Sequence, residues 1–290
     1  MLVDEAQDLS PVLADIVARQ THAQLILVGD PYQSIYGWLG AVDAMNTITT
    51  DVRCFLTQSF RFGPAIAEVA NQLLARLGAD MRLQGHPAIH STVGSIVAPK
   101  AVLTRTNAEA LRQVFDHLDA GRTVALVGGN AKLAAFCRAA VQLADTGATS
   151  HPELACFTSW GQVVDYAKHD QQGSELKLLV ELIDRFGAPP LLDALNHTTS
   201  EDTAEVVIST AHKSKGREWD SVALAGDYPP PKTGHDDNSA EELRLLYVAV
   251  TRARHHLDIS HVPHATTAHN PQPSPAPPAA PSGPLRPQPA

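Results

Sequence analysis

Apolar residues along this chain fall into two alternating patterns. Short, nearly continuous apolar runs occupy residues 25–28, 52–56, 101–104, 124–127, 206–209 and 222–225, most of them rich in β-branched side chains. Such runs suit strands buried on both faces, where no polar alternation is needed. Between them, apolar positions return every three or four residues, the period of a helix with one buried side. These stretches predict helices over 64–77, 108–118, 131–143, 175–186 and 241–252. A further helix starts at Ser10-Pro11, an N-cap followed by a proline in the first helical position, and runs to about Gln20. Strands and helices in alternation specify an α/β fold, a parallel sheet flanked by helices.

The two ends break the pattern. From about Pro271 onward Pro, Ala and Ser dominate, so residues 266–290 are expected to form a disordered tail. Met1-Leu2-Val3 reads as the close of a buried strand without its beginning. Residues from about 145 to 200 are expected to form a small helical insertion.

Composition narrows the function classes. Lys and Arg total 22 against 31 Asp and Glu, a formal net charge of −9, which excludes a generally basic nucleic-acid coat but leaves room for a local basic groove. Cys54, Cys137 and Cys156 are widely spaced and include no C-x-x-C pair, which points to a reducing, cytoplasmic setting. No apolar run reaches the roughly 18–20 residues that span a bilayer, and no leader pattern is visible, so no membrane partner is expected.

Candidate chemistry begins at the first strand. In Leu2-Val3-Asp4-Glu5-Ala6-Gln7-Asp8 an apolar strand end runs into adjacent acids. There Asp4 can hold Mg²⁺ and Glu5 can orient or deprotonate a water. Taken alone, the same residues equally describe a solvated acidic turn. The second strand leads into Gly29-Asp30-Pro31-Tyr32-Gln33-Ser34-Ile35-Tyr36-Gly37-Trp38. Gln33 can hydrogen-bond a phosphate, and Tyr36 and Trp38 can stack on bases or serve as core anchors.

These segments, Asp-Glu-Ala-Gln-Asp at 4–8 and Gly-Asp-Pro-x-Gln-Ser-Ile-Tyr-Gly-Trp at 29–38, resemble motifs II and III of UvrD/Rep-like superfamily 1 DNA helicases. Three further segments follow in that family's order. Leu56-Thr57-Gln58-Ser59-Phe60-Arg61 resembles motif IV, the segment from Thr210 to Asp220 resembles motif V, and the segment from Glu241 to Ala253 resembles motif VI. The resemblance covers residues 1 to about 260 and implies two RecA-like domains. The first would be represented by residues 1–50 and the second by residues 51–265.

The resemblance also implies roles. Asp4 would coordinate the Mg²⁺ that bridges the β- and γ-phosphates of ATP, and Glu5 would activate the attacking water. Gln33 would sense the γ-phosphate, and Arg61 and Arg252 would act as arginine fingers. Gly216 and Glu218 would lie at the nucleotide, Glu218 accepting from its ribose. Tyr36, Trp38, Thr210 and His212 would meet single-stranded DNA, whereas Tyr247 reads as core packing. ATP and Mg²⁺ are therefore the implied cofactors, and movement 3′ to 5′ along the strand is the implied direction.

Three departures from the family pattern matter. Leu39 stands where many relatives carry an arginine, and Arg217 where many carry an apolar residue. The interval between motifs IV and V is short, closer to the compact F-box-DNA-helicase-like branch. Third, no Gly-x-x-x-x-Gly-Lys-Ser/Thr loop occurs in these 290 residues; Gly128-Gly129-Asn130-Ala131-Lys132 lacks its spacing and hydroxyl. Negligible ATPase from this chain alone is therefore expected. The sequence admits three readings: a truncated helicase, one half of a split helicase whose partner is a separate phosphate-loop chain, or a non-catalytic DNA- or partner-binding remnant.

Overall fold

A computed structural model describes residues 1–37, 40–169, 175–230 and 237–266. The expectations placed on Trp38, Leu39 and the Pro-rich tail beyond 266 lie outside the described residues. The chain opens with a parallel pair, β1 (Leu2–Val3) and β2 (Ile26–Leu27), with Leu2 opposite Ile26. Helix α1 (Pro11–Ala18) joins them, and the Ser10 hydroxyl accepts from the Leu13 amide at its start. A single turn, α2 (Ala44–Thr47), is capped by Asp43.

The remaining elements build one larger sheet. In chain order they are α3 (Pro64–Arg76), β3 (Thr92–Val93), β4 (Ala101–Thr104), α4 (Asn107–Asp119), β5 (Val124–Leu126), α5 (Ala131–Thr146), α6 (Trp160–His169), α7 (Glu175–Phe186) and α8 (Ala188–Asn196). They continue with β6 (Val206–Thr210), α9 (Ala211–Ser214), β7 (Trp219–Leu224), α10 (Asp237–Val250) and β8 (Ala253–Asp258). Six strands in the order β3-β8-β7-β4-β6-β5 all run parallel. Every residue of β4 and β6, in the sheet's interior, is buried, as their unbroken apolar runs require.

Each face of this sheet is covered. On one side α3 and α10 bring Ile66, Leu73, Leu246 and Val250 against Leu103, Val222 and Leu257. On the other, Val114 of α4 packs with Val102, Val124 and Ile208. Helices α5 to α8 form a further cluster of their own around Phe136, Leu143, Val163, Ile183 and Leu191. Ile35, from the loop after β2, is fully buried in the α3–α10 side of the core. Residues before 50 therefore share apolar packing with the six-stranded unit. Among the described residues, no helix is long and apolar enough to cross a membrane.

The sheet corrects two expectations. Residues 52–56 form no strand: the segment joins no sheet, with Val52 75% and Leu56 84% exposed. Apolar, β-branched composition creates a preference for extended backbone, but a strand exists only where a neighbour supplies hydrogen bonds. The first partner in this region is a single bridge between Gln58 and Gln84. Conversely, β3 and β8 form where no strand was expected, because Arg254, His255 and His256 interrupt the apolar pattern of β8.

Candidate functional site

The carboxyl end of β1 delivers Asp4 and Glu5 into solvent, both exposed. Glu5 adopts left-handed backbone (φ 51°), alone among the described non-glycine residues, and its amide donates to Asp4 Oδ1 at 2.9 Å. Gln7 behind them is fully buried. Its Nε2 donates to Glu5 Oε2 at 2.6 Å and to Asp8 Oδ2 at 3.3 Å, while its Oε1 accepts from the Asp30 amide at 3.1 Å. A Cβ on Gly29 would stand 2.2 Å from that same Oε1. Glycine there is what lets the two loops meet. Among the described residues, no three His, Cys, Asp or Glu side chains are grouped to hold a metal. A Mg²⁺ at Asp4 would therefore complete its shell with phosphate and water oxygens, which suits that cation.

The loop after β2 forms the second wall. Asp30 caps a single 3₁₀ turn, Pro31–Gln33, by accepting from the Tyr32 amide at 2.9 Å. Its other oxygen accepts from Gln33 Nε2 and from the Tyr247 hydroxyl, each at 2.9 Å. Gln33 Oε1 in turn accepts from Arg252 Nη2 at 3.3 Å. Tyr247 is buried within α10, as expected, but it also hydrogen-bonds into the site.

Arg252 is the main electrostatic feature. It lies just beyond α10 and is only 2% exposed. Its guanidinium donates to the carbonyl oxygens of Val248 (2.9 Å) and Arg217 (3.4 Å) and to Thr251 Oγ1 (2.9 Å). No carboxylate among the described residues pairs with it. Burial first, and then the neighbouring Arg61, pull its pKa down to about 10, so it stays charged at neutral pH. A desolvated cation held by neutral oxygens is poised for an anion.

Arg61 is brought beside it. Its Nε donates to Glu218 Oε2 at 2.6 Å and its Nη1 to the Thr251 carbonyl at 3.2 Å. That bond from Arg61 holds the Glu218 carboxyl below the ordinary carboxylate range. Ser59, Phe60, Arg61, Glu218 and Arg254 line an open cavity of about 440 Å³.

Thr210 ends β6 and caps α9, in which His212 lies. Thr210 is buried, and its hydroxyl accepts from the Lys213 amide at 3.4 Å, which caps that turn. Burial, then Arg105, lowers the His212 pKa, which favours a neutral imidazole at pH 7. The His212 carbonyl accepts from the Tyr36 hydroxyl at 3.2 Å, so these two sequence-expected residues meet. Gly216 turns the chain with φ +79°. Arg217 faces Glu201, with Nη1 2.6 Å from both carboxylate oxygens.

Sequence reasoning missed Lys215. Its ammonium bonds Asp8 Oδ2, donates to the Gln33 carbonyl at 2.8 Å and lies 5.3 Å from the Tyr36 ring centroid, with 9% of the side chain exposed. In Lys213-Ser214-Lys215 a second lysine reads as one more solvated charge. Only the fold shows that it reaches more than 180 residues back along the chain.

Comparison with known proteins follows the same geography. Residues 1–52 match the family model of the UvrD/REP helicase N-terminal domain, and residues 130–263 match that of the UvrD-like helicase C-terminal domain. The chain is similar to F-box DNA helicase protein 1 of Schizosaccharomyces pombe, at 32% identity over 89% of this chain and 33% of that protein. It is similar to F-box DNA helicase 1 of Gallus gallus, at 31% identity over 88% of this chain and 28% of that protein. ATP-dependent DNA helicase UvrD2 of Mycobacterium tuberculosis shares 27% identity over 89% of this chain and 47% of its own length. The chain thus spans about a third of the two F-box relatives and about half of the third.

Proposed function

This chain belongs to the UvrD-like DNA helicase family, and on that premise we propose that it supplies the second motor domain, with motifs II and III of the first, to an ATP-driven translocase on single-stranded DNA. The observation that carries the reading is Arg252, a buried charge with no carboxylate partner among the described residues, facing Gln33 beside the Arg61 cavity.

Each residue then has a physical task. Asp4 would hold Mg²⁺, which would supply positive charge against the phosphates, and Glu5 orients and deprotonates the attacking water. Gln33 reports whether a phosphate occupies the space before Arg252. Arg252 and Arg61 stabilise the charge that builds on the transferring phosphoryl group, a role worth on the order of 10³-fold or more in related systems. Glu218, at the cavity rim, receives the ribose hydroxyl in exchange for part of its bond to Arg61, and Gly216 lets the backbone pass close by. Tyr36, Thr210 and His212 are assigned to the DNA strand, Trp38 joins them on its motif alone, and motion runs 3′ to 5′.

The phosphate-binding loop is absent from these 290 residues, so hydrolysis needs a loop supplied by residues outside them, in the same protein or in a separate chain. The purified chain with ATP and Mg²⁺ should show negligible turnover even with single-stranded DNA. It should bind fluorescently labelled ATP weakly, and Arg252→Met should weaken that binding about tenfold or more, the worth of one charge-assisted contact. Equal binding by both proteins would refute the role given to Arg252. Turnover at ordinary enzyme rates would refute the need for an outside loop.

A further inference from the structure

A primary amide has a donating end and an accepting end of nearly equal shape. Which end faces a cation is decided by whatever grips the other. Gln33 is such an amide, and Asp30 grips it. The Asp30 carboxylate can only accept, and both of its oxygens are engaged. Oδ1 takes the Tyr32 amide, and Oδ2 takes Gln33 Nε2 together with the Tyr247 hydroxyl. The Gln33 nitrogen therefore faces Asp30, and its oxygen faces Arg252 Nη2. Flipped, an NH₂ group would confront the guanidinium.

We propose that Asp30 and Tyr247 are positioning residues which together hold the Gln33 amide in the one orientation that meets Arg252. The functional meaning of this relay rests on the reading of Gln33 and Arg252 as the phosphate-facing pair. Tyr247 and Arg252 come from α10 and the turn that follows it, whereas Asp30 and Gln33 come from the loop after β2. The four side chains thus form one series of hydrogen bonds, Tyr247 to Asp30 to Gln33 to Arg252, between the two parts of the chain. Burial and the Asp30 charge both oppose ionisation of Tyr247, so its hydroxyl stays a donor. When an anion takes Arg252, Gln33 loses one bond and keeps the other. It pivots about Asp30, and its second amide hydrogen is free to turn toward the incoming oxygen.

The test uses the full chain with ¹⁵N-labelled glutamine side chains, observed by NMR hydrogen exchange. The Gln33 signal is identified by its loss in Gln33→Asn. Tyr247→Phe keeps the buried ring and removes only the hydroxyl. Exchange at the Gln33 carboxamide should accelerate about fivefold to tenfold, the worth of one hydrogen bond. Gln113, which bonds Glu109 on the distant α4, should be unchanged and so report that the fold is intact. Gln33 exchange within twofold of the parent chain would overturn the proposal. If Tyr247→Phe fails to fold, Asp30→Asn decides in the same way. No nucleotide enters the measurement. A failed relay therefore leaves the ATP reading standing, and failed ATP binding with a protected Gln33 sinks the reading alone.

Discussion

Replacing Lys215 with methionine keeps the length of the side chain and removes its ammonium, whose surroundings set the size of the effect. The Lys215 and Asp8 side chains are only 9% and 16% exposed, so water cannot replace the lost partner. Breaking one side of a buried ion pair costs roughly 3–5 kcal/mol, because the other charge is left desolvated. The Gln33 carbonyl also loses a charged donor at 2.8 Å and the Tyr36 ring its cation at 5.3 Å. Those losses overlap with the first and are not added to it. Glu5, at 3.6 Å and 62% exposed, adds little. A loss of about 3 kcal/mol with a urea slope of about 3 kcal/mol/M lowers the unfolding midpoint by about 1 M. Circular dichroism against urea measures it. Adding Asp8→Asn to the methionine variant removes the stranded charge and should restore more than half of the loss. A shift under about 0.2 M, or no recovery in the double variant, would show that the pair is not the buried link between the two parts of the chain.

Two further predictions rest on separate contacts. Gly29→Ala should destabilise the chain by about 2 kcal/mol in thermal unfolding, since its Cβ would lie 2.2 Å from Gln7 Oε1; an unchanged melting temperature would mean that Gln7 is free to move aside. Arg61 holds the Glu218 pKa below its ordinary value of 4.5. The stability from that pair is full above 4.5 and is lost as pH falls through the depressed folded value. With side chains 31% and 43% exposed, it amounts to under about 1 kcal/mol. Arg61→Gln should raise the Glu218 pKa in a carboxyl NMR titration, and an unmoved value would contradict the pairing.

The helices were legible because their signals are local. Apolar spacing placed α3, α5 and α7, and Ser10-Pro11 marked the start of α1. Helix α8 falls inside the expected helical insertion of 145–200, although its own bounds were not legible, and Pro189 and Pro190 stand near its start. Both sit in its first turn, where their missing amides have no intrahelical partner to lose. Strands depended on neighbours: β4 and β6 announced themselves by complete burial, β8 hid behind its polar residues, and residues 52–56 looked like a strand without becoming one. The candidate site divided along the same line. Residues carried by recognisable motifs could be named from sequence. The roles of Asp30, Lys215 and Tyr247 arise from contacts across 182 to 217 positions, which no local pattern encodes.

The left-handed backbone at Glu5 has a consequence for anyone who edits this protein. Glycine, or asparagine, occupies that conformation more easily, and a glutamate there works against the fold by about 1 kcal/mol or more. Any redesign ranked by melting temperature would favour replacing it. The most stable version of this loop would then lack the carboxylate to which water activation is assigned in the proposed function. If that proposal holds, thermostability and competence are opposed at this one position, and a screen for the first should hold residue 5 fixed.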